Sequence, residues 1–379
     1  MRTDLLYVSV GQRFGPRSVA INLLEKLLDF GHLTIRGVVD EAVAESIPMR
    51  HRRHIQVVKN AFGATISLLI ASLRDKPKIC HFNFPPINPF FLSTLLVMKI
   101  SRVKVAYSFH GGILLENKSG IPRALFLLSC RHFYDVIVTN SRYSANLLLD
   151  FARAPWLQEK IKVIPNGINS AHALVARSGP ISPHLKGEPS ILFVGRLEYV
   201  KGVDVLIKAV RYAKACFPEI CLHIVGVGSQ IKEVRQLISC LDMEANVVLH
   251  GFIDNAKLDS FFSGAEIVAV PSRCETFGIT VLEAMAFGKP LIVSNRGALP
   301  EIVKHLHNGL VVQLDPRAFA DSIVLLHNNE QLRNEISENN ERTISSYAWT
   351  KIAEEYVELY KHTQQSIAKR RTKACISAR

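Results

Sequence analysis

Two glutamates, Glu275 and Glu283, lie in the run Pro271-Ser272-Arg273-Cys274-Glu275-Thr276-Phe277-Gly278-Ile279-Thr280-Val281-Leu282-Glu283-Ala284-Met285-Ala286-Phe287-Gly288-Lys289-Pro290. The pattern predicts a strand ending at Pro271, a loop through Gly278, and a short helix from near Thr280 to Gly288. Glu275 then sits in the loop and Glu283 in the first turn of the helix. A loop feeding a helix N-terminus offers unpaired backbone N–H groups and the positive end of the helix dipole, a seat for phosphate. Carboxylates beside such a seat suit sugar hydroxyls, because their oxygens accept hydrogen bonds from a ribose diol or a hexose hydroxyl. A second reading stays open at this point. Thr280 and Glu283 satisfy T-x-x-E, the spacing of a capping box, and Glu275 alone is compatible with an ordinary loop carboxylate.

The elements that position this run alternate short apolar segments with longer amphipathic ones, as β-α units do. Strands are expected at 5–10, 35–39, 79–82, 103–108, 136–139 and 162–164, with a helix over 18–30 stopped by Gly31. Their β-branched content and lack of alternation suit a parallel sheet buried on both faces. Pro180, Pro183, Gly187 and Pro189 then break regular structure. A second series follows, with strands at 191–194, 222–225, 247–249, 267–270 and 290–293, and helices at 204–215, 229–240, 256–263, 280–287 and 318–326. The expected domains are 1–175, a linker at 176–189, 190–346, a C-terminal helix within 347–366, and a basic, unstructured tail at 367–379. Two doubly wound α/β domains are the architecture expected, with ligand at the carboxyl ends of the strands.

The 379 residues fit two domains of ordinary size, and 48% hydrophobic with 21% charged residues marks a globular chain. Mean hydropathy is +0.15, yet the apolar stretches at 61–72 and 90–98 are well short of the roughly 18–20 residues of a membrane span. The N-terminus lacks the pattern of a secretory signal, so a cytoplasmic address is expected. Seven scattered cysteines include no C-x-x-C pair, which argues against a structural zinc site or a disulfide framework. Residues 1–175 hold 22 Lys+Arg against 11 Asp+Glu, a net +11, and the remainder is nearly balanced at 24 against 22. Five of the latter cations (Lys369, Arg370, Arg371, Lys373 and Arg379) belong to the tail. The first half is therefore expected to face something anionic, be it nucleic acid, a phospholipid surface or a phosphate-bearing acceptor.

The E-x7-E pair inside P-S-x-x-E-x-F-G-x-x-x-L-E-A-M-A-x-G-x-P resembles the signature of the retaining glycosyltransferase family 4, glycosyl transferases group 1. Phe193-Val194-Gly195-Arg196-Leu197 with Lys201-Gly202 resembles the basic pair of that family. Ile224-Val225-Gly226-Val227-Gly228, His250-Gly251-Phe252, Pro300-Glu301-Ile302-Val303, Asn308-Gly309 and Tyr347-Ala348-Trp349 fall in the family's usual order. Ser108-Phe109-His110-Gly111, Asn140-Ser141 and Ile164-Pro165-Asn166-Gly167 match in the first half, so the resemblance covers nearly the whole chain, more loosely in the first 100 residues. It implies the GT-B fold: two Rossmann-like α/β/α domains facing across a cleft, with a C-terminal helix crossing back towards the N-terminal domain.

The resemblance also implies roles. Arg196 and Lys201 would hold the donor diphosphate and offset the negative charge that grows as the nucleotide leaves. Glu283 would take the ribose hydroxyls and Glu275 the donor sugar near its C3 hydroxyl. Backbone at Gly226 and from Phe277 through Gly278 and Ile279 to Thr280 would line the donor site, with Phe252 near the base. His110 would touch the donor sugar. Gly11-Gln12-Arg13-Phe14-Gly15 is similar to the family's acceptor-side glycine loop, although Gly11 and Gly15 depart from the usual paired glycines. The chain has no D-x-D motif, and no metal or other cofactor is expected. The implied reaction moves a hexose-type sugar from a UDP- or GDP-sugar, with retention, to a glycan or lipid-linked acceptor in bacterial polysaccharide, lipopolysaccharide or glycolipid synthesis.

Met49-Arg50-His51-Arg52-Arg53-His54, ahead of the apolar segment 61–73, has the composition of a contact with an anionic membrane surface, here the cytoplasmic face of an inner membrane. Three other readings are weighed. A nucleotide-sugar epimerase shares the two-domain plan but needs no acceptor. A nucleic-acid-binding protein would use the basic first half, yet no basic-aromatic module is recognisable. A nicotinamide dehydrogenase is disfavoured because G-x-G-x-x-G does not follow the first strand.

Overall fold

The computed structural model describes residues 3–10, 15–31, 33–83, 89–111, 123–169 and 185–376. The chain divides into two compact units, one of residues 1–167 with 349–379, the other of residues 168–348.

The first unit is built on a fully parallel sheet of seven strands: β1 (Leu5–Ser9), β2 (Ile35–Val39), β3 (Ile55–Val57), β4 (Ile79–Phe82), β5 (Lys104–Phe109), β6 (Val136–Thr139) and β7 (Ile161–Val163), in the order 3-2-1-4-5-6-7. Every residue of β1, β4 and β6 is buried, which is why these strands read as continuous apolar runs rather than alternating ones. Helices α1 (Gly15–Asp29) and α2 (Glu41–Ser46) serve the crossovers towards β3. Helices α3 (Ala61–Arg74), α4 (Pro89–Ile100), α5 (Arg123–His132) and α6 (Arg142–Ala152) serve those running back to β4 and on to β7. Right-handed crossovers put the two sets on opposite faces of the sheet.

The short β3 has no counterpart in the sequence reading, since its three residues carry too little pattern to stand out. Residues Met49–His54 form a 3-10 helix, and its charges are partly spent at home. Arg50 pairs with Asp29 at 3.0 Å and Glu25 at 3.5 Å, and His51 lies 2.8 Å from Asp29.

The second unit carries a parallel sheet of six strands: β8 (Ser190–Val194), β9 (Cys221–Val225), β10 (Val247–Gly251), β11 (Ile267–Val270), β12 (Leu291–Ser294) and β13 (Leu310–Val312), in the order 10-9-8-11-12-13. Its helices are α7 (Val203–Ala213), α8 (Ile231–Cys240), α9 (Asn255–Gly264), α10 (Ile279–Ala286), α11 (Leu299–Ile302), α12 (Pro316–Asn328) and α13 (Glu330–Ile344). The period-2 geometry of a strand divides the core in two. Ile191 and Phe193 enter a cluster with Leu206, Leu222 and Ile224, whereas Leu192 enters the opposite cluster with Val268 and Leu282.

The last helix, α14 (Trp349–Ile376), returns to the first unit. Trp349 is buried so close to Gly167 that a Cβ there would lie 2.5 Å from its ring. One turn apart, Tyr356 stacks on His81 of β4 and Tyr360 holds His81 Nδ1 at 2.6 Å. The helix runs beyond residue 366, where the sequence reading ends it. Gln364–Ile376 contains no glycine or proline and is rich in Ala, Lys, Arg and Gln, so nothing in it stops a helix already nucleated by packing. Residues 377–379 and most of the expected linker, 176–184, lie outside the described residues.

Candidate active site

In a doubly wound sheet, two neighbouring strands whose connections leave in opposite directions open a crevice at their carboxyl ends. In the second unit those strands are β8 and β11. The turn after β8 carries Gly195, Arg196 and Lys201, and the loop after β11 carries Glu275. Sequence separates these groups by more than seventy residues, and the strand order brings them to one place.

Across this point Lys201 Nζ donates to Glu275 Oε2 at 2.6 Å, with both side chains largely shielded from solvent. Three sets of contacts fix the pair. Gly202, at φ +68°, follows Lys201 so closely against the neighbouring loop that a Cβ would lie 2.0 Å from Pro271 O. Arg273 grips the same turn, its amide donating to Val200 O at 2.8 Å and its guanidinium reaching both carboxylate oxygens of Asp204 at 2.7 and 2.8 Å. That guanidinium also lies 3.9 Å from the centre of the Tyr199 ring. On the far side, Ala298 N donates to Glu275 O at 2.8 Å, and Gly297, at φ +64°, would place a Cβ 2.3 Å from the same oxygen. Ser272 Oγ donates weakly to Glu275 Oε2 at 3.4 Å. Glu275 is thus held from two strands' loops and a helix start, an arrangement that orders a carboxylate before any ligand arrives.

Gly278, at φ +100°, is the N-cap of α10, and its lack of a side chain leaves the first-turn N–H groups without a side-chain cap. Thr280 is already inside the helix, and its hydroxyl donates to Val194 O at the end of β8, 3.3 Å away. The capping box allowed by T-x-x-E therefore does not form. Glu283 is the fifth residue of α10 rather than part of its first turn, because the helix begins at Ile279. Burial, reinforced by the negative charge of Asp259, raises its carboxyl from the ordinary 4.5 to about 7.

Around the same edge, Gly226 N donates to Gly251 O at 2.8 Å and Gly195 N to Val225 O at 3.0 Å, so the strand-end turns of β8, β9 and β10 interlock. Arg196 is exposed on the first of these turns, and Phe252 is exposed just after β10. Phe277 is buried and meets Tyr347 edge-on at 6.4 Å, so its side chain packs and only its backbone remains available to a ligand. Glu198 carboxylate accepts from Ser229 N and Oγ at 3.2 and 2.6 Å, pinning the turn that carries Lys201. Gly297, Asp259 and Glu198 are not singled out by the sequence, and Ser272 enters it only as a letter of the P-S-x-x-E signature. Of the other three, only Gly297 had a visible signal, as a glycine shortly after a predicted strand.

His110, in the first unit, follows β5 directly. Its Nε2 lies 3.0 Å from Asn83 Oδ1 at the end of the adjacent β4. Burial lowers its pKa to about 4, so the imidazole is neutral at pH 7. Asn83, which positions it, is legible only once β4 and β5 are known to be neighbours. Gly15 opens α1, and Gly11 lies outside the described residues. Among the described residues no group of three or more His, Cys, Asp and Glu could hold a metal ion, and no helix is long and apolar enough to cross a membrane.

A family model for glycosyl transferases group 1 matches residues 179–343, and one for Glycosyltransferase Family 4 matches residues 36–172. An uncharacterised glycosyltransferase of Haemophilus influenzae is 32% identical over 368 residues, spanning 92% of this chain and 97% of its own. Another, from Methanocaldococcus jannaschii, is 33% identical over 287 residues, spanning 69% and 70%. The chain belongs to the group 1, family 4 glycosyltransferases.

The glycosyltransferase has the GT-B fold. HepE of Anabaena, solved in complex with UDP, matches it with a TM-score of 0.77 at 19% identity over 95% of this chain and 100% of that one. The fold and the transferase class read from the sequence are both borne out.

Proposed function

We propose that this glycosyltransferase moves a hexose-type sugar from a UDP- or GDP-sugar to a glycan or lipid-linked acceptor, with retention of anomeric configuration and without a metal ion. The observation that carries the reading is the Lys201–Glu275 contact at the point where the strand order of the second unit reverses. A cation and a carboxylate ordered side by side at the carboxyl ends of β8 and β11 suit a ligand that is anionic at one end and rich in hydroxyls at the other. A nucleotide sugar is such a ligand. Uridine is the base favoured, since HepE was solved with UDP and with UDP-glucose.

In this reading Lys201 and Arg196 stabilise the diphosphate as its bond to the sugar breaks, and the uncapped N-terminus of α10 adds to them through Gly278, Ile279 and Thr280. Glu283 accepts from the ribose hydroxyls, and Glu275 accepts from a hydroxyl of the transferred sugar. Gly226 allows close approach of the nucleotide, Phe277 offers its backbone, and exposed Phe252 lies on the base side. His110 takes part as a neutral hydrogen-bonding group, and the loop from Gly11 to Gly15 serves the acceptor. Glu275 is not assigned as a nucleophile. Departure and attack on the same face, with the leaving phosphate guiding the acceptor hydroxyl, need no second carboxylate close by. The acceptor is proposed to be met at the cytoplasmic face of a membrane.

The test is a panel of UDP- and GDP-sugars scored by thermal shift, then by nucleotide release with lipid-extract acceptors. One nucleotide sugar should stabilise the protein and release nucleotide only when acceptor is present. Conversion of the nucleotide sugar to its epimer without acceptor and without net release of nucleotide would favour the epimerase reading, and binding of no member would overturn the proposal.

A further inference from the structure

Helix α3 is amphipathic in the wrong sense for a helix facing water. Its buried side is made of small and hydroxylated residues around a single leucine: Ala64, Thr65, Ser67, Leu68, Ala71 and Ser72. Their hydroxyls are satisfied locally, Thr65 donating to Ala61 O at 2.9 Å and Ser72 to Leu68 O at 2.6 Å, while Ser67 Oγ accepts from Gln56 Nε2 at 2.8 Å. Its outer side presents Phe62, Ile66, Ile70 and Leu73, which are 56%, 43%, 50% and 61% exposed. The spacing of four, four and three residues sets them in one stripe along the helix. Helix α4 packs beside α3 on the same face of the sheet and adds exposed Leu96 and Ile100. Scattered exposed apolar residues are ordinary, but a contiguous stripe of large ones marks a surface that something covers.

The charge around the stripe says what covers it. Between residues 58 and 111 the chain has seven cations and one acid, Asp75, which is taken by Arg36 at 2.6 Å. Lys59 precedes α3, Arg74 ends it and Lys76 follows, while Lys99 and Arg102 stand at the end of α4; all five are exposed. A second copy of so basic a face would be repelled, whereas an anionic bilayer takes both halves of the pattern. Apolar side chains enter the acyl boundary and flanking cations meet phosphate headgroups.

We infer that α3 and α4 form a membrane-docking face that lies flat on an anionic phospholipid bilayer, inserting the Phe62–Leu73 stripe with Leu96 and Ile100. This locates the membrane contact of the reading above on α3 and α4 rather than on residues 49–54, where Arg50 and His51 are engaged with Glu25 and Asp29. It does not depend on the identity of the donor.

The full chain would be floated with vesicles of phosphatidylcholine containing either no or about one-third phosphatidylglycerol, in parallel with I66D/I70D and with K99S/R102S. The wild type should float with the anionic vesicles only. I66D/I70D should lose vesicle binding by at least tenfold with an unchanged melting temperature and unchanged thermal shift by nucleotide sugar, since both side chains already face outward. K99S/R102S should weaken binding several-fold and reduce its salt dependence. The added fluorescence of I70W should shift to the blue with anionic vesicles. Undiminished vesicle binding by I66D/I70D, or a wild-type dimer in solution that this variant dissociates, would overturn the proposal, the latter making a second copy the occupant. Failure of the nucleotide-sugar panel with vesicle binding intact would count against the donor reading alone.

Discussion

Lys201 Nζ and Glu275 Oε2 meet at 2.6 Å across the reversal of strand order in the second unit, joining the turn after β8 to the loop after β11. Each charge steadies the other until a ligand with its own phosphate and hydroxyls arrives. The contact ties the order of the loop that carries Glu275 to the residue proposed to hold the diphosphate, so the two cannot be altered independently.

Removing either partner should therefore damage transfer more than folding. Lys201→Ala and Glu275→Ala are expected to lower kcat/KM by at least about a hundredfold, the scale of losing one group that stabilises a transition state. Glu275→Gln should keep the loop's shape yet recover little activity. Steady-state nucleotide release and a thermal melt on each variant check this; normal turnover in Lys201→Ala would remove the assigned role.

Gly202 tests how far the loop depends on close backbone approach. Alanine there must hold φ near +68° and bring a Cβ to within contact of Pro271 O. A left-handed conformation costs a non-glycine residue about 1–2 kcal/mol before the clash is counted. That strain alone should lower the melting temperature by roughly 2–8 °C in a unit of this size, and the clash adds to it. Donor affinity should fall with it, because Lys201 is the preceding residue.

Glu283 gives a pH signature. Its pKa is raised in the folded protein, from 4.5 to about 7, so the folded state holds a proton that the unfolded state has lost between those values. Stability must then fall as pH rises from about 4.5 to 7 and level off above it, once the carboxyl is ionised in both states. Glu283→Gln should flatten that decline in a series of melts. If the ionised carboxylate accepts from ribose, nucleotide affinity in the wild type should rise through pH 7, and the variant should lose this rise.

His110 should show the opposite behaviour. With a pKa near 4 it is uncharged throughout the neutral range, so a step in activity between pH 5 and 8 is not expected from it. His110→Ala should reduce kcat at every pH in that range by a similar factor, and a pH–rate profile of the variant against wild type measures this. A profile whose shape changes near pH 6 would contradict a neutral role.

Tyr360 probes the return of the C-terminal helix. Its hydroxyl lies 2.6 Å from buried His81 Nδ1, and the other ring nitrogen lies 2.8 Å from Ser108 Oγ. Tyr360→Phe leaves one nitrogen of a buried imidazole without its partner, a loss of about 1–3 kcal/mol. Chemical denaturation should show it as a lower midpoint with the slope little changed.

Much of this protein was legible without coordinates, and the reason is local. Parallel strands buried on both faces announce themselves as apolar runs, and a loop between such a strand and a helix is short enough for residue types to reveal what it can bind. Glu275, Glu283 and Gly278 were read this way, whereas the family resemblance singled out Arg196 and Lys201 and supplied the roles implied for the site. The tertiary structure decided what depends on strand order and on side-chain direction. It placed β8 beside β11, so that Lys201 and Glu275 touch. It started α10 at Ile279 and so dissolved the capping box of Thr280 and Glu283, and it set Asp259 where its charge raises Glu283. It also turned the hydroxyls of α3 inward with Leu68, and Phe62, Ile66, Ile70 and Leu73 outward, an arrangement hidden in sequence because Ala61–Arg74 reads as amphipathic either way round. Periodicity fixes which residues share a helix face; only packing decides which face meets the sheet.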